Sequence, residues 1–454
     1  MRKLTGFFFL FFSVITLAQE SLFTLLDNSE TGIDFSNDLV DTKQHSIFLY
    51  ANYYGGAGVG IGDFDNDGFD DIFFAANLID DKIYKNLGNF QFEDKTEKSG
   101  IINNGSWSTG VTVADVNNDG LLDIYISCEL YDDAPILRKN KLYINKGNFK
   151  FEESAEKWGV DVDRRTRHSV FFDYNNDGLL DLYLLNHPPN TGNFSPFFGT
   201  DMTLPEYNLQ LFENKGDHFI DVTVAAGLDR AGFPNAAVIG DFNKDGWADI
   251  YVANDFDAPD FLYFNNQDGS FSYKTESSLR HTSFYSMGVD AADINNDSHL
   301  DLMVLDMTAE DNFRLKSNMS GMNPDSFWNV VKGGGHYQYM FNTMQLNNGN
   351  NTFSDVAQLT GTAATDWSWS SLVADFDNDG NKDIYITNGL LRDIRNTDAD
   401  KKISDIVSKK INEYIINNPD DTDISLWDVV DLQELLDIMP SQKLKNYYYK
   451  NDGN

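Results

Sequence analysis

The chain has 454 residues, and its 71 Asp and Glu against 34 Lys and Arg give a formal net charge of −37. This charge disfavours nucleic acid and anionic membrane surfaces as partners, because both are themselves negative. The only cysteine is Cys128, so no intramolecular disulfide can form. Composition therefore indicates an acidic globular protein that is stabilised by something other than disulfides.

The first 18 residues have the layout of a secretory signal peptide. Arg2 and Lys3 precede an apolar run from Leu4 to Leu17, and Ala18 stands before Gln19. No later stretch approaches the ~18 apolar residues that a membrane helix needs. We therefore expect residues 1–18 to be removed and residues 19–454 to be secreted, to the extracellular space, the periplasm or the cell surface, without membrane insertion.

A nine-residue motif recurs six times, Asp-x-(Asp/Asn)-x-Asp-(Gly)-x-x-Asp followed by Ile or Leu. The copies begin at Asp63, Asp115, Asp173, Asp241, Asp293 and Asp375, at intervals of 52, 58, 68, 52 and 82 residues. Repetition at such intervals predicts one structural unit that is used several times, with insertions of different length.

Strand signals surround every copy of the motif. An apolar segment such as 58–62 precedes the loop, and a β-rich run such as 72–74 follows it. Each unit also carries a second hairpin signal around Asn-x-Gly, as at residues 86–88, where Asn and Gly supply the positive φ of a tight turn. Two hairpins make a four-stranded antiparallel sheet. Six such repeats predict an all-β fold, a β-propeller of four-stranded antiparallel blades.

Two insertions interrupt the repeats, at about residues 309–335 and 393–440. In the second, Ile403, Ile406, Val407 and Ile411 fall at helical spacing. We expect helical insertions on one face of the propeller.

The loop motif has the ligand spacing of a calcium site. Calcium prefers six to eight oxygen ligands, and a tight loop with carboxylate or amide oxygens at positions 1, 3, 5 and 9 brings them to one point. An EF-hand is excluded, since it needs a Glu at position 12 and flanking helices. The predicted metal ligands are Asp63, Asp65, Asp67, Asp71, Asp115, Asn117, Asp119, Asp123, Asp173, Asn175, Asp177, Asp181, Asp241, Asn243, Asp245, Asp249, Asp293, Asn295, Asp297, Asp301, Asp375, Asp377, Asp379 and Asp383.

These ligand positions hold 20 carboxylates, so six bound Ca²⁺ would return 12 positive charges to the acidic chain. A single copy of the motif is also compatible with an ordinary Asp/Asn/Gly turn, but six copies with the same ligand positions are not. The fifth copy has Ser298 where the others have Gly, which costs about 1 kcal/mol if the backbone there is left-handed. We expect that site to be the weakest.

The two ends of the chain carry partial hairpin signals. Residues 23–33 are similar to residues 92–101, the outer-strand segment of the first unit, and residues 448–454 reach only the middle of a hairpin. Either the N-terminal segment completes the sixth blade, or the natural chain continues into a seventh.

The loop spacing over about residues 50–454 resembles the FG-GAP or VCBS repeat family, which is related to the integrin α head. Residues 337–349, 365–370 and 386–389 resemble more closely the secreted bacterial propellers similar to cartilage acidic protein, which often carry an ASPIC/UnbV domain. The resemblance implies calcium loops and a seven-bladed disc. The six copies here then indicate a truncated C-terminus, and no ASPIC/UnbV segment is visible.

Other side chains give weaker signals. The seven histidines have no metal-ligand or nucleophile spacing, and the aromatic series Phe73, Tyr125, Tyr183, Tyr251 and Tyr385 indicates packing between blades.

Three groups of residues stay open to more than one interpretation. Arg164, Arg165 and Arg167 favour a solvated loop over a contact with an acidic polysaccharide. Asp255, Asp257 and Asp260 favour a polar turn, although a further ion is an alternative. Trp367 and Trp369 favour burial over stacking on a sugar.

The expected function is that of a secreted, calcium-stabilised binding, adhesion or scaffold module for an extracellular protein or polysaccharide, with no catalytic residues and no cofactor besides Ca²⁺. The alternative is an enzyme that uses the propeller as a scaffold for hydrolysis or elimination on extracellular polysaccharide. That reaction needs an acid–base pair near the central channel, and none is recognisable outside the loops. A structural role in a larger cell-surface assembly is a third possibility.

Overall fold

The computed structural model describes residues 23–50, 52–131, 133–188, 208–256, 258–318, 323–421 and 424–453. The predicted signal peptide, residues 1–18, and Asp257 lie outside these ranges. Among the described residues no helix combines the length and apolar composition needed to span a bilayer.

Six antiparallel sheets follow one another along the chain, and we call them blades 1 to 6. Blade 1 contains β1 (Val59–Gly62), β2 (Asp71–Phe74), β3 (Lys82–Asn86) and β4 (Phe92–Asp94). Blade 2 contains β5 (Trp107–Ala114), β6 (Asp123–Glu129), β7 (Lys141–Asn145) and β8 (Phe151–Glu153). Blade 3 contains β9 (Arg165–Phe172), β10 (Asp181–His187), β11 (Gln210–Asn214) and β12 (Phe219–Asp221).

The second half of the chain repeats this order. Blade 4 contains β13 (Pro234–Gly240), β14 (Asp249–Asn254), β15 (Phe261–Asn265) and β16 (Phe271–Tyr273). Blade 5 contains β18 (Val289–Ala292), β19 (Asp301–Val304), β21 (Thr343–Asn347) and β22 (Phe353–Asp355), while β17 (Thr282–Ser283) and β20 (Gln338–Tyr339) form a separate parallel pair. Blade 6 contains β23 (Ser368–Ala374), β24 (Asp383–Asn388) and β25 (Tyr447–Tyr449).

The blades have the predicted meander order. In every four-stranded blade the strands pair in chain order, and the loop motif connects the first strand to the second, so that Gly62 pairs with Asp71 across the first loop. The first strands of successive blades pack against one another from β1 to β23. The β-propeller prediction is confirmed, with one difference: within the described residues blade 6 has three strands rather than four.

Except for α9 (Thr397–Asn417), the helices are short. α1 (Asn28–Thr31) precedes the first strand, and α2 (Thr96–Ser99), α3 (Pro135–Arg138), α4 (Ala155–Trp158), α5 (Thr275–Ser278) and α8 (Ala357–Thr360) lie between strands. Those in the insertions are α6 (Asn312–Ser317), α7 (Pro324–Lys332), α9 (Thr397–Asn417), α10 (Leu426–Val429) and α11 (Leu432–Leu436). Both insertions are therefore helical.

The core consists of apolar clusters between neighbouring blades. The second strands of blades 2 to 5 are buried on both faces, and the rings of Tyr125, Tyr183 and Tyr251 are fully buried there. Tyr125 of blade 2 makes an edge contact with Phe171 of blade 3 at 6.0 Å between ring centroids. The aromatic series thus packs between blades, as its single strand position predicts. Cys128 lies in the cluster shared by blades 1 and 2, where burial raises the pKa of its thiol to about 12.

In blades 2 to 6 an asparagine at or just after the end of the third strand connects neighbouring blades. Asn214 of blade 3 donates from Nδ2 to the carbonyl of Val116, in the loop of blade 2, at 2.8 Å, and to that of Leu180 in its own loop at 3.0 Å. Asn145, Asn265, Asn347 and Asn451 make the same two bonds. This residue was interpreted from sequence as a turn residue with positive φ, which is wrong. The positive φ belongs to the residues after it, such as Gly216, and the asparagine joins blades.

Blades 1 and 6 each leave one face uncovered. Val59 and Ile61 of β1 are 53% and 61% exposed, whereas Val111, the equivalent of Val59 in blade 2, is 8% exposed because β1 packs on it. On the other side, Leu372 of β23 is 51% exposed.

The segment at residues 23–35 contacts both of these blades, although no strand forms within its described residues. Phe23 meets Phe376 of blade 6 at 6.3 Å between ring centroids, and Phe35 stacks on Phe74 of blade 1 at 4.7 Å. The segment does not pair with β25, so in the described structure it does not complete blade 6 as a fourth strand.

One arginine holds the two helical insertions against blade 6. Arg314 of α6 donates from Nε and Nη2 to the two carboxylate oxygens of Asp366 at 2.6 and 2.8 Å, and from Nη1 to Asp393 at 3.1 Å. All three side chains are less than a tenth exposed. A forked pair of this kind fixes orientation as well as distance.

The Asn214→Ala substitution is expected to destabilise the protein by about 2–3 kcal/mol, because it removes the donor to the buried carbonyl of Val116 and to the partly buried carbonyl of Leu180. Chemical denaturation measures the change. Asn86→Ala is the matched control, since Nδ2 of Asn86 has a described bond only to the carbonyl of Asp70, at an exposed position. Equal losses in both variants would show that the bond between blades contributes nothing.

Candidate metal centres

The six loops share one hydrogen-bonding pattern at their first aspartate. In the first loop, Asp63 accepts the N–H of Asp67 at 3.0 Å on Oδ1 and the N–H of Gly68 at 2.7 Å on Oδ2. The aspartates at position 1 of the other five loops accept the equivalent pair of N–H groups at 2.8–3.1 Å. The loops therefore adopt one conformation, as their common spacing predicts.

Two residues in every loop have left-handed backbone. Position 6 is predicted from its glycine, and Gly68 has φ of 90°. Ser298 adopts φ of 69° at this position, so the strain expected of a non-glycine residue is present. Position 4 was missed, although the signal is visible: it is Asn in five loops, a residue that tolerates this conformation. Lys244 adopts it with φ of 60° in the fourth loop.

The aspartate at position 9 is the buried member of each loop. Asp181 accepts the N–H of Tyr174 at 3.1 Å on Oδ2 and the N–H of Asn214 at 2.8 Å on Oδ1. Burial raises the pKa of the Asp123, Asp181 and Asp249 carboxyls to about 7, despite these backbone bonds. Burying a carboxylate disfavours its charged form, and a neighbouring cation offsets that cost.

Two loops bring three carboxylates together from positions 1, 3 and 9. One oxygen each of Asp63, Asp65 and Asp71 lies within 4.8 Å of the others, and the same holds for Asp375, Asp377 and Asp383. Oδ1 of Asp65 is buried and has no hydrogen-bond partner. An unpaired carboxylate oxygen beside two further carboxylates matches the oxygen donors that a hard cation takes.

In the other four loops position 3 is asparagine. Nδ2 of Asn117 donates to Asp119 at 3.0 Å, and its Oδ1 accepts the N–H of the same residue at 2.9 Å. Asn175, Asn243 and Asn295 make the same contacts. These side chains face their loops and supply a neutral oxygen where the first and sixth loops supply a carboxylate.

In blades 1, 3 and 6 a residue at the end of the third strand places a charged side chain beside the loop, which sequence reasoning missed. Lys85 contacts Asp65 and lies 2.7 Å from Asp67, and Lys450 contacts Asp377 and lies 3.2 Å from Asp379. In the third loop this residue is Glu213, whose Oε1 accepts a bond from Asn175 at 3.2 Å. In the sequence, each of these three side chains belongs to the residue immediately before the asparagine at the end of the third strand.

These neighbours change the charge around the four ligand positions. In the first and sixth loops the ligand positions hold four carboxylates, and the lysine beside them brings the sum to −3, which equals the sum for the three ligand carboxylates of the second, fourth and fifth loops. In the third loop Glu213 brings the sum to −4. The ligand positions of all six loops are therefore strongly negative, which is the charge that a divalent cation would offset.

The basic cluster before blade 3 differs from its sequence interpretation. Arg165 and Arg167 belong to β9 instead of a solvated loop, and Arg165 is buried. The structure places the side chain of Arg167, which is 11% exposed, near the buried Glu129. Trp367 is buried, as expected, whereas Trp369 is only half-buried.

Comparison with protein families agrees with this geometry. Residues 63–126, 241–304 and 323–386 match the family model described as FG-GAP-like repeat. The first two matches begin at the first aspartate of a loop, and the three together include every loop except the third. The chain is thus a β-propeller that contains FG-GAP-like repeats. A comparison with curated proteins finds no significant match.

Similarity to solved structures is low. A lectin of Agrocybe aegerita, described as recognising non-reducing terminal N-acetylglucosamine, is 18% identical, with a TM-score of 0.41 over 72% of this chain and 73% of the lectin. The biofilm matrix protein Bap1 of V. cholerae is 14% identical, with a TM-score of 0.33 over 63% of this chain and 35% of that protein. At these values neither likeness supports a statement about ligand or activity.

Ser298→Gly is expected to stabilise the protein by about 1 kcal/mol, because glycine adopts the left-handed conformation without strain. Gly178→Ser, at the same position of the third loop where φ is 87°, should destabilise it by a similar amount. Free energies of unfolding without added metal measure both changes. A destabilising Ser298→Gly would mean that the serine side chain contributes more than the strain costs.

Proposed function

We propose that the protein is a secreted, calcium-binding β-propeller that serves as a binding or scaffold module for an extracellular protein or polysaccharide and catalyses no reaction itself. The observation that carries the proposal is the sixfold repetition of one loop conformation with carboxylate or amide side chains at positions 1, 3, 5 and 9. A turn needs only one or two such side chains, whereas a cation site uses all four.

The ligands would be the side chains of these positions in each loop. Calcium supplies two positive charges among carboxylates that otherwise repel one another, and its binding favours the folded loop because the unfolded chain holds no such cluster. The lysines beside the first and sixth loops offset the extra carboxylate at position 3.

Two features support an extracellular role. The N-terminal sequence has the layout of a signal peptide, and extracellular calcium modules operate at millimolar calcium, where sites of modest affinity are filled. A propeller also presents broad faces and a rim, which suit recognition of large partners.

Thermal unfolding in EDTA and then in graded Ca²⁺ tests the proposal, together with the number of ions bound at equilibrium. We expect five or six bound ions and a large rise in melting temperature, since each site filled at a hundredfold excess over Kd contributes about 2.7 kcal/mol. If no calcium binds and the melting temperature does not change, the loops are ordinary turns and the proposal is overturned.

Removing one ligand should remove one ion. Asp173→Asn in the third loop is expected to lower the stoichiometry by one and to shrink the calcium-dependent shift, because a charged position-1 ligand is lost. The matched control is Asp217→Asn, an equal charge change at a side chain that is 88% exposed in a hairpin. If both variants bind as many ions as the natural sequence, the third loop is not a calcium site.

A further inference from the structure

Each blade has one equivalent residue six positions before the first loop aspartate, within or just before the inner strand. Across the six blades this residue is Ala57, Thr109, Arg167, Asn235, Met287 and Trp369. In blades 2, 3, 4 and 6 it is the extra residue of a β-bulge, where the register with the second strand shifts. A bulge redirects a side chain out of the regular alternation of its strand, and bulges are common beside binding sites.

All six residues line one cavity. Its volume is about 320 Å³, and the residues that follow them in sequence line it as well: Gly58, Gly110, His168, Ala236, Gly288 and Ser370. Because the inner strands of all six blades contribute, the cavity lies at the centre of the propeller. We call it the axial cavity.

Packing between blades explains the glycines in the second of these two sets. A Cβ on Gly58 would lie 2.6 Å from the backbone N of Val111, and one on Gly288 would lie 2.4 Å from the carbonyl of Trp369. Such contacts with backbone cannot relax, so glycine is required there. The bulged positions have no such uniformity, since they hold Thr, Arg, Asn and Trp. The fold accounts for part of this polar lining, because Thr109 bonds to the carbonyl of Thr166 in blade 3 at 2.8 Å and Asn235 to the carbonyl of Ser286 at 2.9 Å. It does not account for the unpaired Nη1 of Arg167.

Among the described residues that line the axial cavity, Arg167 is the only Lys or Arg. Its Nη2 donates to the carbonyl of Gly55 at 2.9 Å, and its Nη1 lies 3.9 Å from Oε2 of Glu129. Both Nη1 and that Oε2 are buried without a hydrogen-bond partner. Glu129 is held in turn by His187, whose Nδ1 is 3.0 Å from Oε1. The guanidinium is thus fixed in place while part of its hydrogen-bonding capacity is unused.

The other residues that line the cavity place polar and aromatic groups around Arg167. His168 has no described hydrogen bond and faces the cavity beside Arg167, and burial lowers the pKa of its imidazole to about 4, so it is neutral near pH 7. Asn235 adds its amide oxygen, while its Nδ2 donates to the carbonyl of Ser286 at 2.9 Å. The hydroxyl of Thr109 already contacts the carbonyls of Ser127 and Thr166 at 3.0 and 2.8 Å. Trp369 adds an aromatic surface whose Nε1 is already bonded to the carbonyl of Gly389 at 2.7 Å.

We propose that the axial cavity binds a single sugar residue that carries a carboxylate, a uronic acid, with Arg167 as the carboxylate partner. Arg is the side chain best suited to a carboxylate, and an aromatic ring suits the apolar face of a pyranose. The volume of the axial cavity is near the lower limit for small-ligand pockets, so the cavity fits one sugar residue. The proposal rests on the binding role proposed above and names its ligand class.

Isothermal titration of the full mature chain in Ca²⁺ with D-glucuronate, D-glucose and acetate tests this site. We expect glucuronate to bind, and glucose and acetate to bind at least about tenfold more weakly, because each lacks one half of the recognised chemistry. Glucose binding as tightly as glucuronate would overturn the role of the carboxylate. Acetate binding as tightly as glucuronate would show that the sugar ring is not recognised. The absence of glucuronate binding would overturn the site.

Arg167→Gln should weaken glucuronate binding at least about tenfold, and Arg167→Lys should give an intermediate loss because it keeps the charge without the fork. Arg164→Gln is the matched control, since Arg164 does not line the cavity. If Arg167→Gln does not fold, the glucuronate affinity of Arg167→Lys alone tests the assignment. Unchanged affinity in both Arg167 variants would overturn the assignment.

Calcium-dependent melting of the same samples separates this proposal from the previous one. A calcium shift without glucuronate binding rejects the axial site alone. Glucuronate binding without a calcium shift rejects the calcium loops alone.

Discussion

A buried aspartate in each blade joins three parts of the propeller through its two oxygens. At position 9 of the loop it accepts an N–H from the start of the same loop and an N–H from the asparagine that ends the third strand. That asparagine bonds in turn to the loop of the preceding blade. Loop conformation, hairpin position and blade packing therefore depend on one carboxylate, which is why the motif recurs with so little variation while the segments between copies vary in length.

Local patterns in the sequence were sufficient for the loops and for the strands beside them, because the residues that specify them are close along the chain. The bridging asparagine shows where such reasoning fails. Asn214 has the sequence context of a turn residue, yet its side chain satisfies a carbonyl 98 positions away. The same applies to Lys85 and Lys450, whose role beside the loops follows from strand pairing, and to Arg167, which a bulge moves from an apparent surface run into the centre of the propeller.

The two proposed sites occupy opposite ends of the inner strands. The bulged residue precedes the first loop aspartate by six positions, which corresponds to roughly 20 Å of extended strand. Calcium would therefore act on the axial cavity only through the strands that it anchors. This separation allows the loops to remain uniform while the residues around the centre differ in every blade.

The buried thiol of Cys128 has a practical consequence. Thiol reagents attack the thiolate, and a pKa of about 12 in a fully buried position leaves almost none of it available near neutral pH. Because the sequence holds no other cysteine, a cysteine introduced at an exposed position would be the one reactive thiol of the folded protein. Fluorophores or spin labels could then be attached at a chosen point on either face without first removing a native residue.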